Sequence, residues 1–178
     1  MAKKVSFSGE NVSLSDAALH HNDMEDALTL FFSSGSPLYP VRFAGYQFSE
    51  VSEELGDRLA ELDRNTTMTL LAAVEAAFRI DYLQRCYKKK KDVVSRQFRR
   101  IYKEKETRAS REDEIFGVWK SSTMESTKLI GDLRGAFKFR HWIAHGRYWT
   151  PKLGQKYDYL TIYSLAVEAL SSFPLMVS

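Results

Sequence analysis

Met68, Leu71, Val74, Phe78 and Tyr82 recur at spacings of three and four residues, the period that lines side chains along one face of an α-helix. This is the most apolar segment of the chain, and other elements of the same period have to cover its face. Between Leu70 and Phe78 the only charge is Glu75. A carboxylate in that setting needs a cation, because an unpartnered charge in apolar surroundings is expensive. Arg79, one turn on, has the spacing of an exposed helical ion pair. The other possibility, that Glu75 orients Arg140 or His145 from a facing helix, is the one the apolar setting favours.

The same period runs through most of the chain. Ser13 caps a first helix reaching about Phe32, with Met24, Leu28 and Phe31 on its apolar face. His20 and His21 lie within it, about 100° apart around a helix, and are read as surface residues. Gly35, Pro37, Pro40 and Gly45 punctuate an irregular connection from Ser33 to Gln47, and its Leu38, Tyr39, Val41, Phe43 and Tyr46 predict packing on the bundle or on a partner. Ser49 opens a helix with Val51, Leu55, Leu59 and Leu62 inside and an acidic exterior, and Arg64 to Thr67 offers capping side chains before the Met68 helix. Lys88 to Lys91 closes that helix, and Asp92 caps the next, in which Val94, Phe98, Ile101 and Tyr102 face inward. Residues 103–111 read as a polar, mobile stretch. Ser110 then caps a short helix to Trp119, Ser121 to Thr123 starts another that runs to Gly146, and Asp158 caps a last one carrying Tyr159, Tyr163, Ala166, Leu170 and Phe173.

There is no convincing strand alternation, Gly-rich phosphate loop, internal repeat or Gly-x-Ser-x-Gly elbow. The expectation is an all-α bundle of about six or seven helices in one domain over residues 1–178, with a flexible lead-in at 1–12. At 178 residues, 44% apolar and 28% charged, the chain suits one soluble domain. No run approaches a membrane helix, and Met1-Ala2-Lys3-Lys4 leads into polar residues, so a cytoplasmic protein without membrane contact is expected. The single Cys86 excludes an internal disulfide and a multi-cysteine zinc site, and reads as a half-buried thiol rather than a nucleophile.

Charge is segregated along the chain. Residues 1–84, 85–111 and 112–178 carry local balances of −7, +9 and +1. The middle segment holds Lys88, Lys89, Lys90 and Lys91, followed by Arg96, Arg99 and Arg100 on a helix that interleaves cations with aromatic rings. That mixture suits RNA through phosphate contact plus stacking on exposed rings, and a solvated charged helix pair with no ligand is the competing reading.

Reactive side chains concentrate between Phe137 and Trp149, where thirteen residues include two histidines, two arginines, a tyrosine and two tryptophans. Arg140 continues the apolar stripe of Ile130, Leu133 and Phe137, so it must find an anion, a neighbouring subunit or a wet cleft. His141 and His145 are four apart, and Gly146 is placed to end the helix. The negative end of the helix dipole favours imidazolium at His145, which suits proton transfer. On spacing alone, a basic helix end that caps itself is the competing reading. Two histidines in this register can also share a zinc ion, but a third ligand has to come from elsewhere, and no metal site is assigned.

Arg140, His141, three further residues and His145 resemble the motif of the HEPN superfamily, in which an Arg is followed four to six residues later by a His. The segment from about Met68 to Phe173 resembles members of that family. The resemblance implies an all-α fold, a two-fold homodimer that brings two motifs together, and metal-independent RNA cleavage without a cofactor, although the family also contains catalytically silent members. It assigns catalysis to Arg140 and His145, with His141, Glu75, Arg79, Arg147 and Tyr148 in support, and Lys152 joins the basic residues that contact RNA. Arg140 and His145 diverge by about 140° around a straight helix, which makes a pocket between chains easier to build than one within a chain. Chains of this kind resemble toxin components or antiviral defence effectors, which implies a neutralising antitoxin. The alternative is a non-catalytic helical module that binds RNA, dimerises or docks a partner.

Replacing Lys88, Lys89, Lys90 and Lys91 by Ala is expected to weaken RNA binding and flatten its salt dependence, because fewer phosphates are neutralised. Binding titrations over a range of salt check this; an unchanged slope identifies the run as merely solvated.

Overall fold

The computed structural model describes residues 4–122 and 124–176, leaving aside the side chains of Met124 and Glu125. Seven α-helices are present among the described residues: α1 Leu14–Phe31, α2 Tyr39–Arg42, α3 Phe48–Tyr87, α4 Val93–Lys105, α5 Phe116–Lys120, α6 Met124–Ala144 and α7 Tyr159–Ser172. A 3₁₀ turn at Glu106–Arg108 and a π-helical turn at Arg111–Ile115 link α4 to α5. No strand occurs among these residues, and no helix is long and apolar enough to cross a membrane.

The axis of the molecule is α3. Its 40 residues rise about 60 Å, and α1, α4, α6 and α7 all pack against it. The expected break at Arg64 to Thr67 does not occur. That stretch contains neither proline nor glycine, Thr66 and Thr67 are buried, and Thr69 Oγ1 donates back to the Asn65 carbonyl, so these side chains are used within a continuous helix. The helix also starts one residue before Ser49, where the Gln47 backbone N–H donates to Glu50 Oε2 at 2.7 Å.

The apolar face of α3 is enclosed from Leu70 to Phe78, whereas Met68, like Leu55, Leu59 and Leu62, is half-buried. Leu70, Leu71, Val74 and Phe78 have no exposed surface, and they meet Ile115, Phe116, Ile130, Leu133, Phe137 and Ile162 in the main core. Phe78 takes edge-on contacts from Phe116 and Phe173. A smaller cluster of Phe32, Phe43 and Val51 closes the other end of α3. The connection between α1 and α3 is fastened there chiefly by Phe43, whereas Leu38, Val41 and Tyr46 stay exposed, as does Met24 on α1. Part of that connection is helical, the short α2.

Several single positions differ from the sequence expectation. His21 is buried rather than at the surface: its Nε2 lies 2.9 Å from Asp63 Oδ1 and its ring stacks on Tyr159 at 3.8 Å. The inward side of α1 is therefore the one carrying Ala17 and His21. In the lead-in, Val5 N–H donates to Tyr87 Oη and Phe7 packs on the main core. The polar stretch before Ser110 is tied to the bundle, with Ala109 buried and Tyr82 Oη donating to the Glu106 carbonyl at 2.7 Å. Cys86 is buried, and burial pushes its thiol pKa up to about 12, which leaves no thiolate to act as a nucleophile. Thr123, expected to help start α6, lies outside the described residues.

The pair Asp81–Arg85 closes the C-terminal end. Arg85 Nε donates to Asp81 Oδ1 at 2.6 Å and Nη2 to the Pro174 carbonyl at 2.7 Å, while Met176 N–H donates to the same Asp81 oxygen. Burial outweighs these bonds and pushes the Asp81 carboxyl above its ordinary value.

Gly135 on α6 lets the chain beyond α6 return closely along it. A Cβ there would run into Tyr157 Oη, and Tyr157 is fixed by stacking on Phe139, which in turn stacks on Trp142. Gly135→Ala is expected to destabilise the protein by about 1–3 kcal/mol through overpacking. Adding Tyr157→Phe, which removes the clashing oxygen, is expected to recover most of that loss. Thermal melts of the two variants check it, and equal melting temperatures for them would show that the strain lies elsewhere.

Candidate functional site

The C-terminal end of α6 is built by a left-handed stop. Gly146 has φ +80° and Arg147 φ +59°, Gly146 N–H donates to the Ile143 carbonyl and Arg147 N–H to the Trp142 carbonyl, the two bonds of a Schellman closure. His145 is the last residue before the reversal. Trp142 Nε1 then donates to the Trp149 carbonyl at 2.6 Å, which folds the following segment back over the helix.

This reversal makes a cleft of ≈ 580 Å³ between the end of α6, the π-helical turn and residues 149–153. Arg140, His141 and His145 all line it, with Arg111, Lys138, Lys152 and Trp149. The two imidazoles are neighbours, with ring centroids 4.2 Å apart. A larger groove of ≈ 750 Å³ lies beside Trp119, Leu129 and Phe173, but its described lining holds neither histidine nor arginine.

Beneath the cleft, Glu75 takes Arg79 and Arg140 of the partners weighed for it, not His145, and one residue more, Arg111. Arg79 Nε is 2.9 Å from its Oε1; Arg140 Nη1 and Arg111 Nη1 are 3.1 and 2.9 Å from its Oε2. Burial pushes this carboxyl up, but the hydrogen bond from Arg79 and the charges of Arg111, Arg79 and Arg140 prevail and hold it below its ordinary value. Arg111 also reaches Glu112 Oε1 at 2.7 Å, and its guanidinium carbon lies 3.6 Å from the Phe137 ring centroid.

The other predicted residues are distributed differently. Arg79 does not line the cleft; besides Glu75 it holds the Ala109 carbonyl. Arg147 is drawn off to Glu61 Oε2 at 2.6 Å on α3, because its left-handed backbone ends the helix on that side. Tyr148 is 83% exposed and touches Trp149 edge-on, outside the cleft lining. Lys88 to Lys91 form the exposed turn between α3 and α4, thirteen helical residues or about 20 Å beyond Glu75. Arg96 and Arg100 are exposed on α4, while Arg99 donates to the Lys90 carbonyl and so stiffens the lysine turn.

The divergence expected of Arg140 and His145 does not separate them. A long guanidinium stem and a histidine at the helix terminus open on one cleft within one chain. Among the described residues no group of three or more His, Cys, Asp or Glu side chains is placed to hold a metal ion, so the His141–His145 pair has no third protein ligand there. The residue missed in the sequence is Arg111. Its only signal was its place after the cap Ser110, at the start of a helix that had to pack on the Phe137 stripe. The chain matches no protein-family model, no curated protein and no solved structure.

Glu75→Gln is expected to destabilise the protein by on the order of 2 kcal/mol, since three guanidiniums lose their shared anion. A carboxyl held below its ordinary 4.5 contributes stability that is fully present above that pH and lost as pH falls through the lower folded value. The wild-type advantage over the variant is therefore expected at neutral pH and to shrink below pH 4.5. Urea unfolding of both proteins between pH 7 and pH 3 measures it; a gap that stays constant would show that the carboxylate charge is not what holds the hub.

Proposed function

We propose that the chain is a metal-independent endoribonuclease of the HEPN type, acting at the cleft that ends α6. The observation that carries the reading is that Arg140, His141 and His145 open together on one basic cleft. Cleavage without metal needs a base for the 2′-hydroxyl proton, an acid for the leaving 5′-oxygen and a cation for the charge building on phosphorus. In this reading His145 takes the 2′-proton, the freed oxygen attacks phosphorus, and the P–O5′ bond breaks as a second, protonated imidazole gives its proton to the departing oxygen, leaving a cyclic phosphate and a 5′-hydroxyl. Arg140 offsets the charge on the phosphoryl oxygens, and Glu75 keeps Arg140 in place.

A two-fold homodimer belongs to the proposal, on the strength of the family resemblance. A second copy would supply the second proton-transfer group, although His141 beside His145 gives one chain two imidazoles and makes the dimer less necessary for chemistry. Cytoplasmic RNA is the substrate proposed, held along its backbone by Lys152, by the lysine turn and by the cations of α4. A toxin–antitoxin or antiviral defence setting follows from the same resemblance, with a neutralising protein that covers the cleft.

The second reading is a non-catalytic HEPN-like module for RNA binding, dimerisation or partner docking. It is favoured by one observation, that Arg140 is already engaged by Glu75.

Total RNA incubated in chelator with wild type, Arg140→Ala and His145→Ala separates the two. Each variant is expected to lose at least about a hundredfold in rate with helical content and melting temperature nearly unchanged. His141→Ala is expected to lose less. Residual activity within a few-fold of wild type in either principal variant rejects the catalytic assignment. Verified mixed dimers of Arg140→Ala and His145→Ala chains are expected to recover part of the activity if the pocket is shared between subunits, and to stay inactive if each chain works alone.

A further inference from the structure

Two guanidiniums meet one oxygen of Glu75. Arg111 Nη1 and Arg140 Nη1 both lie on Oε2, at 2.9 and 3.1 Å, so these two nitrogens are no more than about 6 Å apart. Both residues line the cleft. With Arg79 on the other oxygen, three cations converge on Glu75, and among the described residues Glu112, through Arg111, is the only further carboxylate paired with them. The cluster thus keeps one positive charge in excess, on the side where Lys138 and Lys152 also face the cleft. Glu75 offsets part of the arginines' mutual repulsion, and for the charge that remains a phosphate is the anion whose oxygens match guanidinium donors.

Arg111 is not alone in holding its own turn. Arg134 Nη2 donates to the Glu112 carbonyl and Arg79 Nη1 to the Ala109 carbonyl. Ser110 Oγ caps the turn by accepting from Asp113 N–H. Other residues therefore already fasten this segment to α3 and α6. The guanidinium of Arg111 sits over Phe137, a residue 1% exposed, and both residues line the cleft.

We infer that Arg111 is a substrate-binding residue of this cleft, a second guanidinium that grips the RNA backbone beside the phosphate on which Arg140 acts. This rests on the nuclease reading for the identity of the substrate. The two arginines divide the work. Arg111 is anchored at two carboxylates and a ring, and makes the same contact before and during reaction, so it lowers KM; Arg140, with a single carboxylate contact, serves the charge that builds on phosphorus.

The test is anisotropy of a labelled 2′-O-methyl oligoribonucleotide, which lacks the attacking hydroxyl, together with steady-state kinetics on the cleavable oligonucleotide. Arg111→Gln is expected to weaken binding about tenfold at low salt and to reduce the salt slope by about one, raising KM with kcat unchanged. Arg111→Lys is expected to keep the salt slope but lose several-fold in affinity, since a point charge cannot replace the planar fork. If Arg111→Gln loses its helical signal, the affinity of Arg111→Lys decides, and a wild-type value there overturns the assignment. Wild-type affinity and slope in folded Arg111→Gln also overturn it, whether or not RNA is cleaved. Binding lost in Arg111→Gln while the wild type cleaves nothing upholds the phosphate grip and rejects the nuclease.

Discussion

A single carboxylate on the most apolar helix organises the end of α6 where the cleft forms. Glu75 sits on α3 between Val74 and Phe78, which have no exposed surface, and it meets guanidiniums from its own helix, from the π-helical turn and from α6. Three arginines in so small a volume would repel one another strongly where water is scarce, and the carboxylate makes their convergence possible. The convergence in turn ties three elements that are distant in sequence at the point where the cleft forms. The net displacement of its pKa shows which effect prevails: burial alone would favour the neutral acid, and the surrounding cations keep the charged form.

Local rules made much of this legible. Ser13, Asp92, Ser110 and Asp158 cap the helices assigned to them, and Gly146 takes the left-handed conformation expected after His145. The apolar period correctly marked the core faces of α3 and α6, and the lone charge in an apolar run pointed from Glu75 to Arg140. Features that depend on which elements meet in space were not legible. The residues Arg64 to Thr67 have cap-forming side chains, but α1 packs along α3 and the threonines are buried in a continuous helix. His21 is buried because Asp63 and Tyr159, 42 and 138 residues away, receive it. Arg111 looked like the end of a polar stretch, since the ring that receives it, Phe137, belongs to another helix.

Charge segregation along the chain becomes segregation in space, with a consequence for how a polyanion can approach. The acidic residues of the first half of α3 are partly spent on local cations, as where Glu61 holds Arg64 and Arg147. Glu61 is thereby kept below its ordinary value, the Arg147 hydrogen bond being the largest cause. The lysine turn lies at the opposite end of α3, about 20 Å past Glu75. A backbone lying from that turn to the cleft would meet cations at both ends, and the acidic half of α3 would repel it from the other side.

The cleft is shaped by how α6 stops rather than by the helix itself. An α6 continued past His145 would remove the segment that forms the opposite wall. The left-handed pair Gly146–Arg147 turns the chain back, the Trp142 indole fixes Trp149, and the stack of Trp142, Phe139 and Tyr157 against Gly135 holds the returning strand of chain along α6. Each of these contacts lies outside the cleft lining or at its edge, so the wall is set by packing that does not depend on a ligand. Groups that must stabilise charge as it develops work best when they are already in place, because reorientation then costs nothing during the reaction. Arg140 is positioned from below by Glu75 and His145 from behind by the helix stop. The space between them is what a substrate phosphate would have to fill.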